Sequence, residues 1–137
     1  MATVVVFEPS DLAPVLAALV PNGWVNLQPE VDTAVEAPSH GAGVFAVFGA
    51  RGPAVPFATW HAGERAVGIQ HSSGTKLARR IDVPAGWRVV QDHPKRGLMV
   101  RVTDDVTDAA AIAWLIATAA PLCELPMLGR WVAEVHP

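Results

Sequence analysis

The chain of 137 residues has one cysteine, no tyrosine and few charged side chains, and these scarcities exclude several classes of protein. The single Cys123 excludes an intramolecular disulfide framework and a zinc site built on cysteines. Charged residues make up 17% of the chain and the formal net charge is −3. Because nucleic-acid-binding domains usually carry a positive surface, we expect no nucleic-acid partner.

A long uninterrupted apolar run and a basic N-terminal region are also missing. The longest apolar stretch, Val106–Leu122, is interrupted by polar residues and is too short to cross a bilayer. The opening residues, from Met1 to Phe7, lack the positive charge that begins a signal peptide. We therefore expect a cytoplasmic protein with no membrane partner.

Apolar residues are abundant, at 51% of the chain, and the length is typical of one domain, which we place over residues 1–137. The patterning predicts an α+β fold, a mainly antiparallel sheet with helices on one face, in the order β-α-β-β-β-β-α-β-β-α-β. A loop is predicted over Pro29–Ala42. The predicted strands are Thr3–Phe7, Trp24–Gln28, Val44–Phe48, Val55–His61, Ala66–His71, Trp87–Gln91, Leu98–Val102 and Arg130–Val135. The predicted helices run from Ser10 or Asp11 to Leu19, from the Ser72–Thr75 segment to Ile81, and from Asp104–Asp108 to Pro121.

Two segments share the pattern P-x-G-W-x-x-x-Q, at residues 21–28 and 84–91. Each follows a predicted helix and begins a predicted strand, so a β-α-β-β unit occurs twice. The matched positions fit a tandem duplication, and they also fit independent helix stops, since Pro-x-Gly ends helices well. The element order is similar to that of the effector-binding domains of bacterial drug-sensing regulators. Residues 66–135 also resemble a ferredoxin-like β-α-β-β-α-β unit.

Strand alternation predicts which side chains share a face of the sheet. Pairing His61 with Ala66 places Trp60 and His71 on one face and His61 on the other. Pairing Asp92 with Gly97 places Gln91 on the apolar face that contains Trp87, and an even loop is favoured because it keeps that face apolar.

Gln91 follows Trp87 by four residues, as Gln28 follows Trp24. One interpretation is that each amide bonds loop backbone near the end of its strand. The other is that the Trp-Gln pairs line a cleft between the two β-α-β-β units, where apolar walls and a few polar groups bind a small molecule or a partner. The candidate ligand-binding residues are Trp24, Gln28, Trp60, His71, Trp87 and Gln91.

A second candidate site lies between a predicted strand and the predicted second helix. Free N–H groups at a helix start, with hydroxyls and the basic residues Lys76, Arg79 and Arg80, would bind an anion. The candidate anion-binding residues are Ser72, Ser73, Gly74 and Lys76. An enzyme using His71 with this loop on an anionic substrate is the functional alternative, and ordinary helix capping with a solvated basic face is the structural one.

Other chemistry has little support in the sequence. The five histidines show neither H-x-H nor H-x-x-x-H spacing, no serine lies in G-x-S-x-G, and Cys123 has no activating base nearby in sequence. We expect no catalytic residues, no metal site and no cofactor.

The Ala-rich segment 105–120 is apolar nearly all round, beyond the single stripe that a surface helix needs. Small side chains allow close approach of another backbone. This predicts a homodimer through the 105–120 helix, with an interaction or structural subunit as the third function class.

Overall fold

The computed structural model describes residues 2–32 and 54–137. In this part of the chain, helix α1 spans Ala13–Ala18, helix α2 spans Asp108–Ala119, and a 3₁₀ turn covers Ala120–Leu122. The strands are β1 Thr3–Phe7, β2 Trp24–Val31, β3 Phe57–His61, β4 Ala66–Gln70, β5 Arg88–His93, β6 Gly97–Arg101 and β7 Met127–His136. The predicted strand Val44–Phe48 and most of the predicted loop Pro29–Ala42 lie outside the described residues, while Pro29–Val31 belong to β2.

The seven strands form one sheet in the order β1-β7-β2-β3-β4-β6-β5, and every neighbouring pair is antiparallel. The long C-terminal strand β7 lies between β1 and β2 and pairs with both, so the first and last strands of the chain are neighbours in the sheet. The predicted α+β class with a mainly antiparallel sheet is confirmed.

Both helices pack on one face of this sheet, which we call the helix face. Cross-strand partners on it are apolar and buried, and Val25, Trp60, Val67 and Val100 follow one another across β2, β3, β4 and β6. Helix α1 contributes Val15 to the same core, and α2 contributes residues such as Leu115. The opposite face, which we call the far face, carries polar and exposed side chains including Trp24, Asn26, Thr59, His61 and Met99.

Local sequence sets the helix boundaries. Asp11 Oδ1 accepts the Ala13 N–H at 3.1 Å, and a proline occupies the first turn of α1, where a missing donor costs least. Thr107 caps α2 by accepting the Ala110 N–H at 3.1 Å, and α2 gives way to the 3₁₀ turn that contains Pro121. Neither helix within the described ranges is long and apolar enough to cross a bilayer.

The predicted helix over residues 72–81 is absent, and turns take its place. Gly74 has a φ of 72°, outside the helical region, and the Arg80 N–H donates to the Leu77 carbonyl oxygen in a single tight turn. The second β-α-β-β unit therefore lacks its helix, as does the ferredoxin-like unit expected over residues 66–135. The described strands of both predicted units belong to one continuous sheet, and within residues 2–32 and 54–137 this sheet does not divide into two units with a cleft between them.

Side-chain alternation predicts the strand pairing of the β3–β4 hairpin correctly but not that of the β5–β6 hairpin. His61 pairs with Ala66 as predicted, and Trp60 lies opposite Val67. In the second hairpin the predicted pairing of Asp92 with Gly97 is wrong, because His93 pairs with Gly97 across a three-residue loop and Asp92 pairs with Leu98. The ladder shifts register between Val89 and Gln91, which is the mark of a bulge.

Candidate functional site

A depression lies on the helix side, between residues 77–82 and the C-terminal half of α2. We call it the helix groove; its volume is about 400 Å³, within the range of roughly 300–1,000 Å³ typical of small-molecule sites. It is lined by Leu77, Arg80, Ile81, Asp82, Trp114, Ala117, Thr118, Pro121 and Leu122.

One wall of the helix groove is a turn held by a carboxylate from a distant strand. The Leu77 N–H donates to Asp92 Oδ1 at 2.7 Å, and the Ala78 N–H donates to Asp92 Oδ2 at 3.0 Å. Asp92 lies at the end of β5, so the sheet fixes this turn from below. Leu77 is fully buried, which anchors the turn to the core.

The opposite wall is a tryptophan fixed by two contacts. The Trp114 Nε1–H donates to the Asp82 carbonyl oxygen at 3.2 Å, and its ring meets Trp87 edge to face, with centroids 5.1 Å apart. This contact also joins α2 to the 77–82 segment, so the width of the groove is set by a hydrogen bond across it.

Arg80 supplies the cationic side chain of the helix groove. Its Nη1 donates to Thr75 Oγ1 at 3.3 Å, and within residues 2–32 and 54–137 the other guanidinium donors are available to a ligand. The neighbouring Arg79 is exposed and does not line the groove.

The six predicted ligand-binding residues do not converge on one site. Trp24, Gln28 and Gln91 lie on the far face, whereas Trp60 is fully buried on the helix face. Trp87 packs at the core edge against Trp114, and His71 is buried just after β4. Because these side chains occupy opposite sides of one sheet, the shared cleft that their spacing predicted is not formed.

The bulge in β5 moves Gln91 away from the tryptophan with which it was predicted to pair. Gln91 lies opposite Met99 on the far face, whereas Trp87 packs with the core. The Gln91 Nε2 group donates to the carbonyl oxygens of Arg96 and Gly97 at 3.3 and 3.4 Å. This arrangement corresponds to the first interpretation of the sequence, in which the Gln91 amide forms hydrogen bonds with loop backbone near the end of its strand.

Trp24 is also committed to protein contacts on the far face. Its ring is stacked on His136 at a centroid distance of 3.8 Å and on His61 at 5.6 Å. A shallow depression of about 140 Å³ lies beside it around Gly68 and is lined in part by His61 and Gln91. Its volume is below the usual range for a small-molecule site.

The loop of Ser72, Ser73, Gly74 and Lys76 lacks the helix start on which its predicted anion binding depended. The first amides of the following turn donate to the Asp92 carboxylate. Those N–H groups are therefore paired, and the negative charge of Asp92 opposes a second anion at the same position.

His71 is 1% exposed, and its hydrogen bonds define its tautomer. Nδ1 accepts the Ser73 N–H at 3.3 Å and lies 2.8 Å from Ser73 Oγ. A backbone N–H can only donate, so Nδ1 holds the lone pair and the proton of the neutral ring is on Nε2. Within the described residues, that buried Nε2–H has no acceptor. Burial lowers the pKa of His71; nearby Asp92 raises this pKa and Arg80 lowers it further.

We expect the stability of the protein to fall on mild acidification because of His71. The folded state disfavours the protonated ring, whereas the unfolded chain takes up the proton near the ordinary pKa of 6.5. Above that pH both states are neutral and His71 adds no pH dependence. Below it the unfolded state gains stability, by at most about 1.4 kcal/mol per pH unit, until the folded ring also becomes protonated.

Urea unfolding of wild type and His71→Gln at pH 7.5, 6.5 and 5.5 measures this effect. The wild-type free energy of unfolding should fall more steeply with acidification than that of the variant. Parallel slopes for the two proteins would show that His71 does not carry the pH dependence.

No group of three His, Cys, Asp or Glu side chains in residues 2–32 and 54–137 could hold a metal ion. Burial raises the pKa of the Cys123 thiol, whose Sγ donates to the Leu125 carbonyl oxygen.

Sequence analysis did not identify the helix groove, although one signal for it is present. Trp114, Ala117 and Thr118 are spaced i, i+3 and i+4, which places them on one side of α2. The 105–120 segment was instead predicted to contact a second chain. The basic stretch includes Arg80, but an anion site was predicted at the preceding loop. Comparison of the chain with protein-family models, curated proteins and solved structures gave no match.

Proposed function

We propose that this protein is a binding domain for a small molecule that has an apolar body and an anionic group. The ligand would lie in the helix groove. The observation that carries this proposal is a groove of about 400 Å³ that combines an indole wall with a guanidinium at its side. Sites of this kind bind a ligand through apolar surface and orient it with few polar groups.

The walls of the helix groove support an apolar ligand body. Ile81, Ala117 and Leu122 contribute aliphatic surface, and Trp114 contributes an aromatic face. Burying apolar surface gains roughly 25 cal/mol per Å², so a ligand with one ring or a short alkyl chain gains several kcal/mol before the costs of binding.

The guanidinium of Arg80 favours an anionic group on the ligand. Arg80 and Asp82 are the charged side chains that line the helix groove. The Asp92 carboxylate accepts the Leu77 and Ala78 N–H groups, whereas Arg80 uses one donor in a hydrogen bond within the described residues, so its other donors can bind an anion. Arg80 can bind a carboxylate through two parallel N–H donors.

We thus keep small-molecule binding, which the sequence predicted, as the proposed function, but we assign it to the helix groove and not to a cleft between two β-α-β-β units. The enzymatic alternative, with His71 and the 72–76 loop acting on an anionic substrate, stays a prediction. Its specific support is the 2.8 Å distance between Ser73 Oγ and His71 Nδ1, and burial of the imidazole weighs against substrate access.

Calorimetric titration with benzoate, phenylacetate and octanoate, each beside its uncharged amide, tests the proposal. We expect at least one carboxylate to bind and its amide to bind more weakly. Arg80→Gln should lower the affinity for that carboxylate roughly fivefold, which corresponds to about 1 kcal/mol for an exposed ionic contact. Arg79→Gln is the matched control, because it removes the same charge one residue away from the groove, and should change affinity less.

A second pair of variants tests the position of the ligand. Ala117→Leu fills the helix groove from α2, whereas Ala113→Leu adds the same volume to an exposed position of α2 that does not line it. Binding should be lost only with the first. Equal effects of both substitutions, or of both arginine substitutions, would place the ligand elsewhere, and absence of binding by all three carboxylates would refute the proposed ligand class.

A further inference from the structure

The two edges of the sheet differ in how they are protected against pairing with another strand. In the described ranges, β1 pairs only with β7 and β5 pairs only with β6, so each has one unpaired side. Unpaired edge strands can bind other strands, and many proteins block them with charges, prolines or bulges.

Within the described part of the chain, strand β5 has such protection and β1 has none. Arg88 and Asp92 place charges on β5, and the bulge between Val89 and Gln91 breaks the regular spacing of its backbone groups. Strand β1 is Thr-Val-Val-Val-Phe, without charge or proline, and its register with β7 is continuous over all five residues.

The side chains of β1 on the far face are also apolar and exposed. Val4 is 65% exposed and Val6 is 50% exposed, and they lie opposite Glu134 and Val132 of β7. An edge of this kind presents both backbone hydrogen-bonding groups and apolar surface.

We propose that the protein forms a homodimer by antiparallel pairing of β1 with β1 of a second copy. A two-fold axis at Val5 places Val4 of one copy opposite Val6 of the other, so valines meet valines on the far face. In this register, even-numbered residues lie opposite even-numbered residues and odd-numbered opposite odd-numbered ones. The helix faces of both copies therefore lie on the same side of a continuous sheet.

The charges next to β1 are compatible with this self-pairing. Glu8 follows the strand, and in this register it lies opposite Ala2, which is uncharged. The two copies of Glu8 are then separated by about six residues of strand, roughly 20 Å, which exceeds the screening length of roughly 8–10 Å at physiological salt. No like charges therefore oppose each other across the proposed pair.

The β1 edge is better suited to bind a second copy than the exposed side of α2 is. The exposed positions of α2 from Ala110 to Ala117 are alanines, and the large side chains of α2 pack inward or against the 77–82 segment. Homodimerisation through the 105–120 helix stays an alternative prediction, which the test below distinguishes.

Sedimentation velocity of the full chain from about 1 to 500 µM tests the β1 dimer, because a five-residue pairing gives a small interface and a dissociation constant on the order of 10 µM. The mass should rise from 14.5 kDa to twice that value with concentration. Val4→Lys together with Val6→Lys introduces exposed charges that face like charges in the dimer, and should weaken it roughly tenfold or more.

Val90→Lys is the matched control, since Val90 is 44% exposed on the opposite edge strand β5 and its substitution should leave the dimer unchanged. Far-UV circular dichroism checks that each variant is folded. Hydrogen exchange of wild type should slow in β1 as concentration rises, independently of any substitution. A monomer up to 500 µM, unchanged β1 exchange, or a dimer lost with Ala113→Lys but retained in the double variant would overturn the proposal.

Discussion

Replacing Trp60 with alanine should lower the free energy of unfolding by about 3–5 kcal/mol, the largest effect that we expect from one substitution. Trp60 is fully buried at the centre of the helix face. Its Nε1–H donates to Asp108 Oδ1 at 2.8 Å, in the first turn of α2, and the Arg65 guanidinium lies 5.2 Å from its ring centroid. The substitution therefore removes packing, a hydrogen bond to a carboxylate and a cation–π contact together.

The contacts of Arg65 extend this effect to the position of α2. Arg65 donates from Nη2 to the carbonyl oxygens of Thr103 and Val106, in the segment that leads into the helix. Trp60 and Arg65 thus connect the β3–β4 hairpin to the N-terminal end of α2. Since α2 forms one wall of the helix groove, loss of Trp60 should also weaken ligand binding.

Guanidinium unfolding followed by far-UV circular dichroism measures the Trp60 effect without depending on tryptophan fluorescence. Trp24→Ala is the control, because this tryptophan is only partly buried on the far face and its described contacts are ring stacking. The decrease in the free energy of unfolding for Trp24→Ala should be at most about half of that for Trp60→Ala. Trp60→Phe, which keeps a ring but removes the N–H, should cost about 1–2 kcal/mol and remains informative if the alanine variant does not fold. Equal losses for Trp60→Ala and Trp24→Ala would contradict this account of the core.

Replacing Gly97 with alanine should cost about 3 kcal/mol, through two separate effects. Its φ of 90° is unfavourable for residues with a side chain. In addition, an added Cβ would overlap the backbone carbonyl oxygen of Ile69 in the adjacent strand β4. Backbone cannot move aside without disturbing the β4–β6 ladder, so the steric cost is not easily relieved.

Gly129→Ala separates the two effects. Gly129 has nearly the same φ, 92°, but an added Cβ would meet no atom within 4 Å. We expect this control to lose about 1 kcal/mol, from backbone strain alone. Thermal unfolding of both variants gives the comparison, and an equal decrease for the two would show that close approach to Ile69 adds no cost.

Local patterns predicted much of the sheet and little of the site. Alternation in β3 and β4 predicted their faces correctly, because both strands have one apolar side and a loop of even length. The ends of α2 were indicated by the aspartates up to Asp108 at its start and by Pro121 beyond its last turn, since both signals depend on nearby residues. The same alternation was wrong in β5, where a bulge after Val89 reverses the direction of the following side chains.

The sequence by itself determined the α+β class, the apolar sides of β3 and β4 and the approximate boundaries of α1 and α2, because side-chain alternation and capping depend on residues that are close together in the chain. Only the tertiary structure decided the conformation of residues 72–81 and the position of the helix groove. The Asp92 carboxylate accepts the N–H groups of Leu77 and Ala78 from fifteen and fourteen residues away, so turns satisfy the amides that a helix would otherwise pair. The groove then forms between this turn and Trp114, which lies more than thirty residues from Asp82 in sequence, and a contact at that separation leaves no periodic pattern along the chain.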